Sequence, residues 1–197
     1  MLPRQLRTAL VLTAVLMLLT GVVYPGVVTT LAQLLFPRQA NGSLIVVDGR
    51  TVGSALIGQR FAGAAYFHPR PSAAGAGYDD TLSGGTNLGP TSRKLADSLI
   101  ARAVDSAVRL DGAVRGRIPA DLVTASASGL DPHISPASAT LQAARVARAR
   151  RLADEVVRLL VARHTEGRTF GVLGEPRVNV LLLNLALDSL APRRVRP

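Results

Sequence analysis

The chain has 197 residues, no cysteine, 4% aromatic residues and a formal net charge of +10 carried almost entirely by arginine. That leaves room for one membrane segment and one modest domain, and excludes disulfides, thiol catalysis and thiolate metal sites. The scarcity of aromatics, and arginines interleaved with acids, argue against nucleic acid and leave lipid or an acidic partner to answer the positive charge.

From Thr8 to Phe36 no side chain is charged, and Arg7 and Arg38 bracket the run. About 20 helical residues cross a hydrocarbon core of roughly 30 Å, so the segment is long enough for one transmembrane helix. Tyr24-Pro25-Gly26 interrupts it, and the missing Pro25 donor predicts a kink or a helix end there. A cleaved secretory signal is the competing reading, but its apolar region is shorter, and Thr30-Leu31-Ala32 is a poor cleavage site. Arg4 and Arg7 on the short side place the N-terminus in the cytoplasm by the positive-inside rule. Everything after Arg38 is then extracytoplasmic.

Ser43–Val47 reads as a strand, Asp48-Gly49 as a two-residue hairpin turn, and Arg50–Ile57 as the returning strand. Residues 58–89 are rich in Gly, Pro, Ser and Ala and read as a long loop, of a length that is either functional or disordered. Pro90 and Thr91 open a helix to about Leu110, with Leu95, Leu99 and Ala103 on one face. Residues 118–133 form a second irregular stretch. Ser135 as N-cap and Pro136 at the first position start the longest helix, running to about His164. On it Leu141, Ala149, Leu152, Val156 and Leu160 share one face, and Arg145, Arg148, Arg151, Glu155 and Arg158 share the other. That arginine stripe reads as a solvated face in preference to a binding face, with Asp154 and Glu155 spaced to pair with Arg158. Val178–Leu185 reads as a buried strand.

No catalytic set stands out. Leu82-Ser83-Gly84-Gly85-Thr86 looks like the signature loop by which ABC-type ATPases touch nucleotide, since glycines bring backbone N–H groups near a phosphate and a helix follows at Pro90. No Gly-Lys-Ser/Thr accompanies it, so P-loop hydrolysis is excluded for this chain alone. Asp131-Pro132 and Ser135-Pro136 are turn and helix-start chemistry before they are a nucleophile set with His133, Ser126 and Ser128. Three histidines spread along the chain make no zinc site, so no metal is expected. Asn41-Gly42-Ser43 fits a glycosylation acceptor and is equally an ordinary turn.

Strings along nearly the whole chain carry a resemblance. Gly21-Val-Val-Tyr24-Pro25, Gly53–Gln59, Phe67-His68-Pro69-Arg70-Pro71-Ser72, Ser83–Pro90, Asp121–Ser135, and Gly174–Val180 with Asn184–Asp188 resemble, in order, the KdpC family of potassium-transporting ATPase C subunits. Thr86 departs from an expected serine and Ala127 from an expected glycine, so the backbone at 127 need not adopt a glycine-only conformation.

The resemblance implies a non-catalytic subunit of the ATP-driven potassium import complex, in the bacterial cell membrane. Its partners are then a channel-like A subunit, a P-type ATPase B subunit and membrane lipid. The family is described as an assembly factor and as a catalytic chaperone that raises the ATP affinity of the B subunit, so ATP is the one nucleotide implied and no cofactor is tightly bound. The expected architecture is α/β (α+β): residues 1–36 as cytoplasmic N-terminus and transmembrane helix, 37–190 as one mixed domain, and 191–197 as a basic tail. Ser83, Gly84, Gly85, Thr86 and Asn87 are the candidate nucleotide or interface loop. Tyr24, Pro25, Arg70, Asp131 and His133 are the candidate interface residues. The rival from another class is an anchored periplasmic adaptor or ligand-binding module, which would not copurify with an ATPase.

Overall fold

A computed structural model describes residues 2–190; the expected basic tail, 191–197, lies outside the described residues. The chain divides into two compact units, residues 1–52 and residues 53–197.

The first unit is dominated by helix. α1 (Leu2–Leu18) passes through a π-turn (Leu19–Val23) into α2 (Tyr24–Leu35). The helix therefore does not end at Pro25. A proline ring collides with the carbonyl four residues back and lacks the N–H that would bond it. The wider π-turn just before it, where the Tyr24 N–H donates to the Leu19 carbonyl, changes the register and lets the helix continue. Thr20 and Thr30 satisfy their hydroxyls within the helix, on the Leu16 and Gly26 carbonyls. Pro3–Leu35, 33 residues, is long and apolar enough to cross a membrane, with none of its apolar window buried in the protein. A short α3 (Pro37–Ala40) follows. β1 (Leu44–Val47) and β2 (Arg50–Ser54) then form a two-stranded hairpin through Asp48 and Gly49, both at positive φ. The returning strand stops at Ser54, whose hydroxyl accepts the Leu56 N–H and turns the chain.

In the second unit no helix or strand intervenes between Ser54 and Arg93, as the composition of that stretch predicts. The next helix begins with a π segment (Lys94–Ile100) and continues as α4 (Ala101–Asp111), so it opens later than Pro90. Gly112, in the left-handed region at φ 68, closes it. A 3-10 turn (Ala120–Leu122) precedes β3 (His133–Ile134) and α5 (Pro136–Arg150). The Ser135 hydroxyl accepts the Ser138 N–H at 3.0 Å, the expected N-cap, with Pro136 in the first turn.

The predicted single helix to His164 is two helices. Arg151 sits in the left-handed region, and the Leu152 N–H reaches back to the Ala147 carbonyl at 3.0 Å, a Schellman closure with arginine where glycine is usual. α6 (Asp154–Arg163) then starts afresh, with Asp154 and Glu155 in its first turn facing the positive end of the helix dipole. Asp154 pairs with Arg158 as its spacing predicts.

The break resets the helical phase, and the predicted faces change with it. The buried apolar positions are Ala139, Ala143, Val146 and Ala147 on α5 and Val157 and Val161 on α6, while Ala149 and Val156 are exposed. Arg145, predicted to be solvated, is buried.

β4 (Thr165–Glu166) and β5 (Arg177–Asn179) complete a three-stranded antiparallel sheet in the order β3-β5-β4, with His133 opposite Asn179 and Thr165 opposite Val178. The predicted strand Val178–Leu185 holds only to Asn179, and the rest is instead the start of α7 (Val180–Leu190). A continuous apolar run fits a buried strand or a buried helix equally well. Here the Asn179 carboxamide oxygen accepts the Leu182 N–H at 3.1 Å and caps a helix. Leu183 and Leu187 of α7 join Phe67, Ile134, Val146, Val157, Val161 and Val178 in one core. The domain is thus mixed helix and strand, with its irregular stretches laid over α5 and α7.

Candidate functional site

The two irregular stretches of the second unit meet each other, and most of the sequence-predicted residues lie where they meet. The Gly84 N–H donates to the Ser128 carbonyl at 2.8 Å, and the Ser83 hydroxyl donates to the same oxygen at 3.0 Å. A Cβ built on Gly85 would stand 2.9 Å from the Ala127 carbonyl oxygen. Gly129, at φ +68, is pressed between strands of loop: its Cβ would lie 2.5 Å from the Gly84 oxygen and 2.6 Å from the Ala74 nitrogen. Ser72 donates its hydroxyl to the Gly129 carbonyl at 2.6 Å while accepting the Tyr78 N–H at 2.8 Å. The Ser-Gly-Gly loop is therefore docked on its neighbour, with the Gly84 amide already engaged. Thr86 is half-buried, and Asn87 is exposed at φ 52. Ala127 is not among the positive-φ residues, as its departure from glycine predicts.

A polar trio, Arg70, Asp131 and His133, braces the same cluster. Arg70 pairs with Asp131 at 2.9 Å, and the other Asp131 oxygen accepts the His133 N–H at 2.9 Å. The His133 ring lies 3.5 Å from that oxygen. Burial alone would push the Asp131 carboxyl up, but the hydrogen bonds from the His133 ring and backbone and from Arg70 outweigh it and hold the group below its usual range. Burial, helped by the Asp131 carboxylate against Arg70, pushes the Tyr78 phenol well up, so it remains a donor, to the Arg70 carbonyl at 2.6 Å. Nearby, Asp121 accepts the Ser135 N–H and hydroxyl and the Ser138 hydroxyl at 2.7–3.0 Å, tying the second loop to the start of α5. Tyr24 and Pro25, the remaining predicted residues, stand on the helix of the first unit, both exposed.

Sequence reasoning missed a second arrangement. The segment Ala64–His68 begins as a turn, with the Tyr66 N–H on the Gly63 carbonyl, and carries Ala65 and Phe67 into the core, where most of its remaining backbone groups bond side chains instead of a strand. Asn184 holds Phe67 at both N–H and carbonyl, at 2.9 and 3.0 Å. Gln142 does the same for His68 at 2.7 and 3.0 Å. Arg145 donates to the Ala64 and Tyr66 carbonyls at 2.7 and 2.8 Å while pairing with Asp111. Arg150 donates to the Ala65 carbonyl, pairs with Asp188 at 2.6 Å and lies 4.7 Å over the Tyr66 ring. The i, i+3 spacing of Gln142 and Arg145 was the available signal, since it aims both at one neighbour. A cleft of about 460 Å³ opens beside this segment, lined by His68, Arg70, Tyr78, Leu110, Asp111 and Gln142 among others.

Burial and the neighbouring Arg145 guanidinium push the His68 imidazole down, against the Gly63 carbonyl and Asp111. The unfolded chain therefore binds a proton at His68 first as pH falls below 6.5, and stability declines there. The depressed Asp131 carboxyl adds a second decline below its unfolded value of 3.8, lost as pH falls through the folded value. Urea midpoints measured from pH 8 to pH 3 should stay level to about pH 7 and then fall in two limbs. His68→Gln should remove the first limb, and Asp131→Asn should shrink the second, to which the depressed Asp79 carboxyl, held by Thr81, also contributes; a first limb that survives, or a second left unchanged, would refute that assignment.

The architecture defines a class: a small mixed helix-and-strand domain carried behind one candidate membrane helix, with its irregular loops locked into a shaped surface. The family model described as KdpC, K+-transporting ATPase, c chain, matches residues 6–189, and the chain belongs to that family. It is 69% identical over 189 residues to the potassium-transporting ATPase KdpC subunit of Gemmatimonas aurantiaca, covering 95% of this chain and 94% of that protein. It is 59% identical over 189 residues to the subunit of the same description from Rhodospirillum rubrum, covering 96% and 97%. The corresponding Myxococcus xanthus protein is 63% identical over 182 residues, covering 92% of this chain and 86% of its own length. Membership places the chain in potassium transport, within a membrane ATPase complex.

Proposed function

We propose that the chain is a non-catalytic subunit that anchors in the membrane by Pro3–Leu35 and holds the potassium-transporting complex together from its extracytoplasmic side. The observation that carries this reading is the engaged glycine loop. A phosphate cradle needs backbone N–H groups free to face the ligand, whereas the Gly84 N–H and Ser83 hydroxyl are committed to the Ser128 carbonyl. The helix that would lend its dipole begins at about Lys94 and not directly after the loop, and it opens on the cations Arg93 and Lys94. A loop pair locked in this way is suited to presenting a fixed surface to a channel-like A subunit and a P-type ATPase B subunit. Arg4 and Arg7 before the apolar run favour a cytoplasmic N-terminus. ATP then binds the B subunit, and any rise in its ATP affinity is transmitted through the assembly.

Alkaline phosphatase matures only outside the cytoplasm, so a phosphatase fused after Pro197 should be active in intact cells. The fused chain should copurify with the ATP-hydrolysing subunit. A fluorescent green-protein fusion with inactive phosphatase would overturn the orientation. Purification of that ATPase at full activity without the chain would overturn the assembly role.

A further inference from the structure

We infer that the tip of the β4–β5 connection, Thr169–Gly174, is an apolar peg that seats in an apolar pocket on another subunit of the ATPase. This rests on the reading of the chain as an assembly subunit. Phe170 is 89% exposed, Val172 71% and Leu173 58%, three neighbouring apolar side chains on one short turn. Scattered exposed apolar residues need no explanation, but a cluster of this kind marks a contact site.

The turn is built to hold them out. The Thr169 N–H donates to the Leu173 carbonyl and the Leu173 N–H to the Thr169 carbonyl, both at 2.9 Å. At its base one Arg168 nitrogen meets both Glu175 carboxylate oxygens, at 2.8 and 2.7 Å. Phe170 itself has φ 54, a left-handed conformation disfavoured for a bulky residue. Exposure and backbone are both unfavourable to Phe170 in the free chain, where glycine or asparagine would suit the turn better. A braced tip, however, loses little further freedom on docking, which is the advantage of a preorganised anchor.

Charge selects the occupant. Membrane-seeking tips set unpaired cations beside their apolar residues, where anionic headgroups attract them. Here Arg168 is matched by Glu175 and Arg177 by Glu166, so the base of the tip is electrically balanced. A second copy of the chain is also a poor occupant. Stable self-association needs roughly 800 Å² on each partner, more than three side chains supply. As one anchor of a subunit already tethered to the complex by its membrane helix, the peg needs only to add a hot spot.

The test uses the whole complex, purified through a tag on its ATP-hydrolysing subunit. Phe170→Gly removes the anchor and relieves the left-handed residue, so the free chain should unfold at the same urea concentration as before, or a higher one. Retention of the chain through a detergent wash, and its affinity in reassembly, should fall by about 10- to 100-fold, the size expected for a central aromatic anchor. Retention of Phe170→Gly at wild-type stoichiometry would overturn the peg and leave the assembly reading standing. Failure of the unaltered chain to copurify would overturn both. Benzoylphenylalanine in place of Phe170, irradiated in the purified complex, should form an adduct with another ATPase subunit. An adduct with lipid, or with a second copy of this chain, would overturn the proposal in favour of that occupant.

Discussion

Arg145→Met should destabilise the second unit by about 3–5 kcal/mol, the cost of stranding one member of a buried ion pair. The Arg145 and Asp111 side chains are 5% and 6% exposed, and Asp111 would lose its cation with little water to replace it. The Ala64 and Tyr66 carbonyls would lose their donor at the same time, and Gln142 would lose its contact with the guanidinium. Methionine fills similar volume, so the loss is electrostatic more than a matter of packing. Removing the acid as well, in Arg145→Met with Asp111→Leu, should recover part of the loss but not all, because the Ala64 and Tyr66 carbonyls still lack the Arg145 donor. Arg158→Met breaks only an exposed pair with Asp154 on one helix and should change stability by less than about 0.5 kcal/mol. Urea midpoints of the full chain in mild detergent, followed by circular dichroism, check all three. Equal effects at positions 145 and 158 would mean that the core does not depend on the Ala64–His68 struts.

Whether such arginines are visible in a sequence depends on how far away their partners lie. Arg145 and Arg158 look alike as text, each on an amphipathic helix with acids nearby. What separates them is that Arg158 meets Asp154 four positions away, whereas Arg145 meets Asp111 at 34 and the Ala64 carbonyl at 81. The local rules held where local chemistry decides: the Asp48-Gly49 turn, the Ser135 cap with Pro136, and the long stretch without helix or strand. They failed where a helix end had no conventional residue to announce it, or where a conventional cap lay inside an ambiguous apolar run. Arg151 ends α5 in a conformation usually left to glycine, so the text offers no stop signal and the apolar phase was carried through the break. Asn179 starts α7 inside an apolar run that reads equally well as a strand. At Pro25 the signal was visible, but its consequence was not, because a π-turn let the helix pass. Of the candidate site, the strings were legible and their mutual docking was not, since the Ser83–Ser128 and Arg70–Asp131 contacts bridge 45 and 61 positions.

Gly129→Ala should be the most damaging single-methyl change in the loop cluster, and Gly84→Val nearly silent for folding. At Gly129 the added carbon meets backbone on two sides, the Gly84 oxygen at 2.5 Å and the Ala74 nitrogen at 2.6 Å, and φ +68 is itself unfavourable to alanine. Neither neighbour is a flexible side-chain end that can swing away, so both loops must part. Together the overpacking and the left-handed backbone should cost about 2–4 kcal/mol. The loosened cluster should show as faster amide exchange at Gly84 and Gly58, whose N–H groups bond the Ser128 and Leu130 carbonyls. A Cβ on Gly84 meets no described atom within 4 Å, and its φ lies outside the left-handed range, so a larger side chain there points into open space. That makes Gly84→Val a clean probe of function in the assembled complex. On the extracytoplasmic reading, with ATP supplied only to the cytoplasmic face of sealed vesicles, its KM for ATP should equal that of the unaltered complex. A large rise in that KM with subunit stoichiometry intact would overturn the docked-loop reading and return the loop to direct contact with nucleotide. Loss of the subunit at unchanged KM in the complexes that remain would instead place Gly84 in the interface that the loop cluster presents.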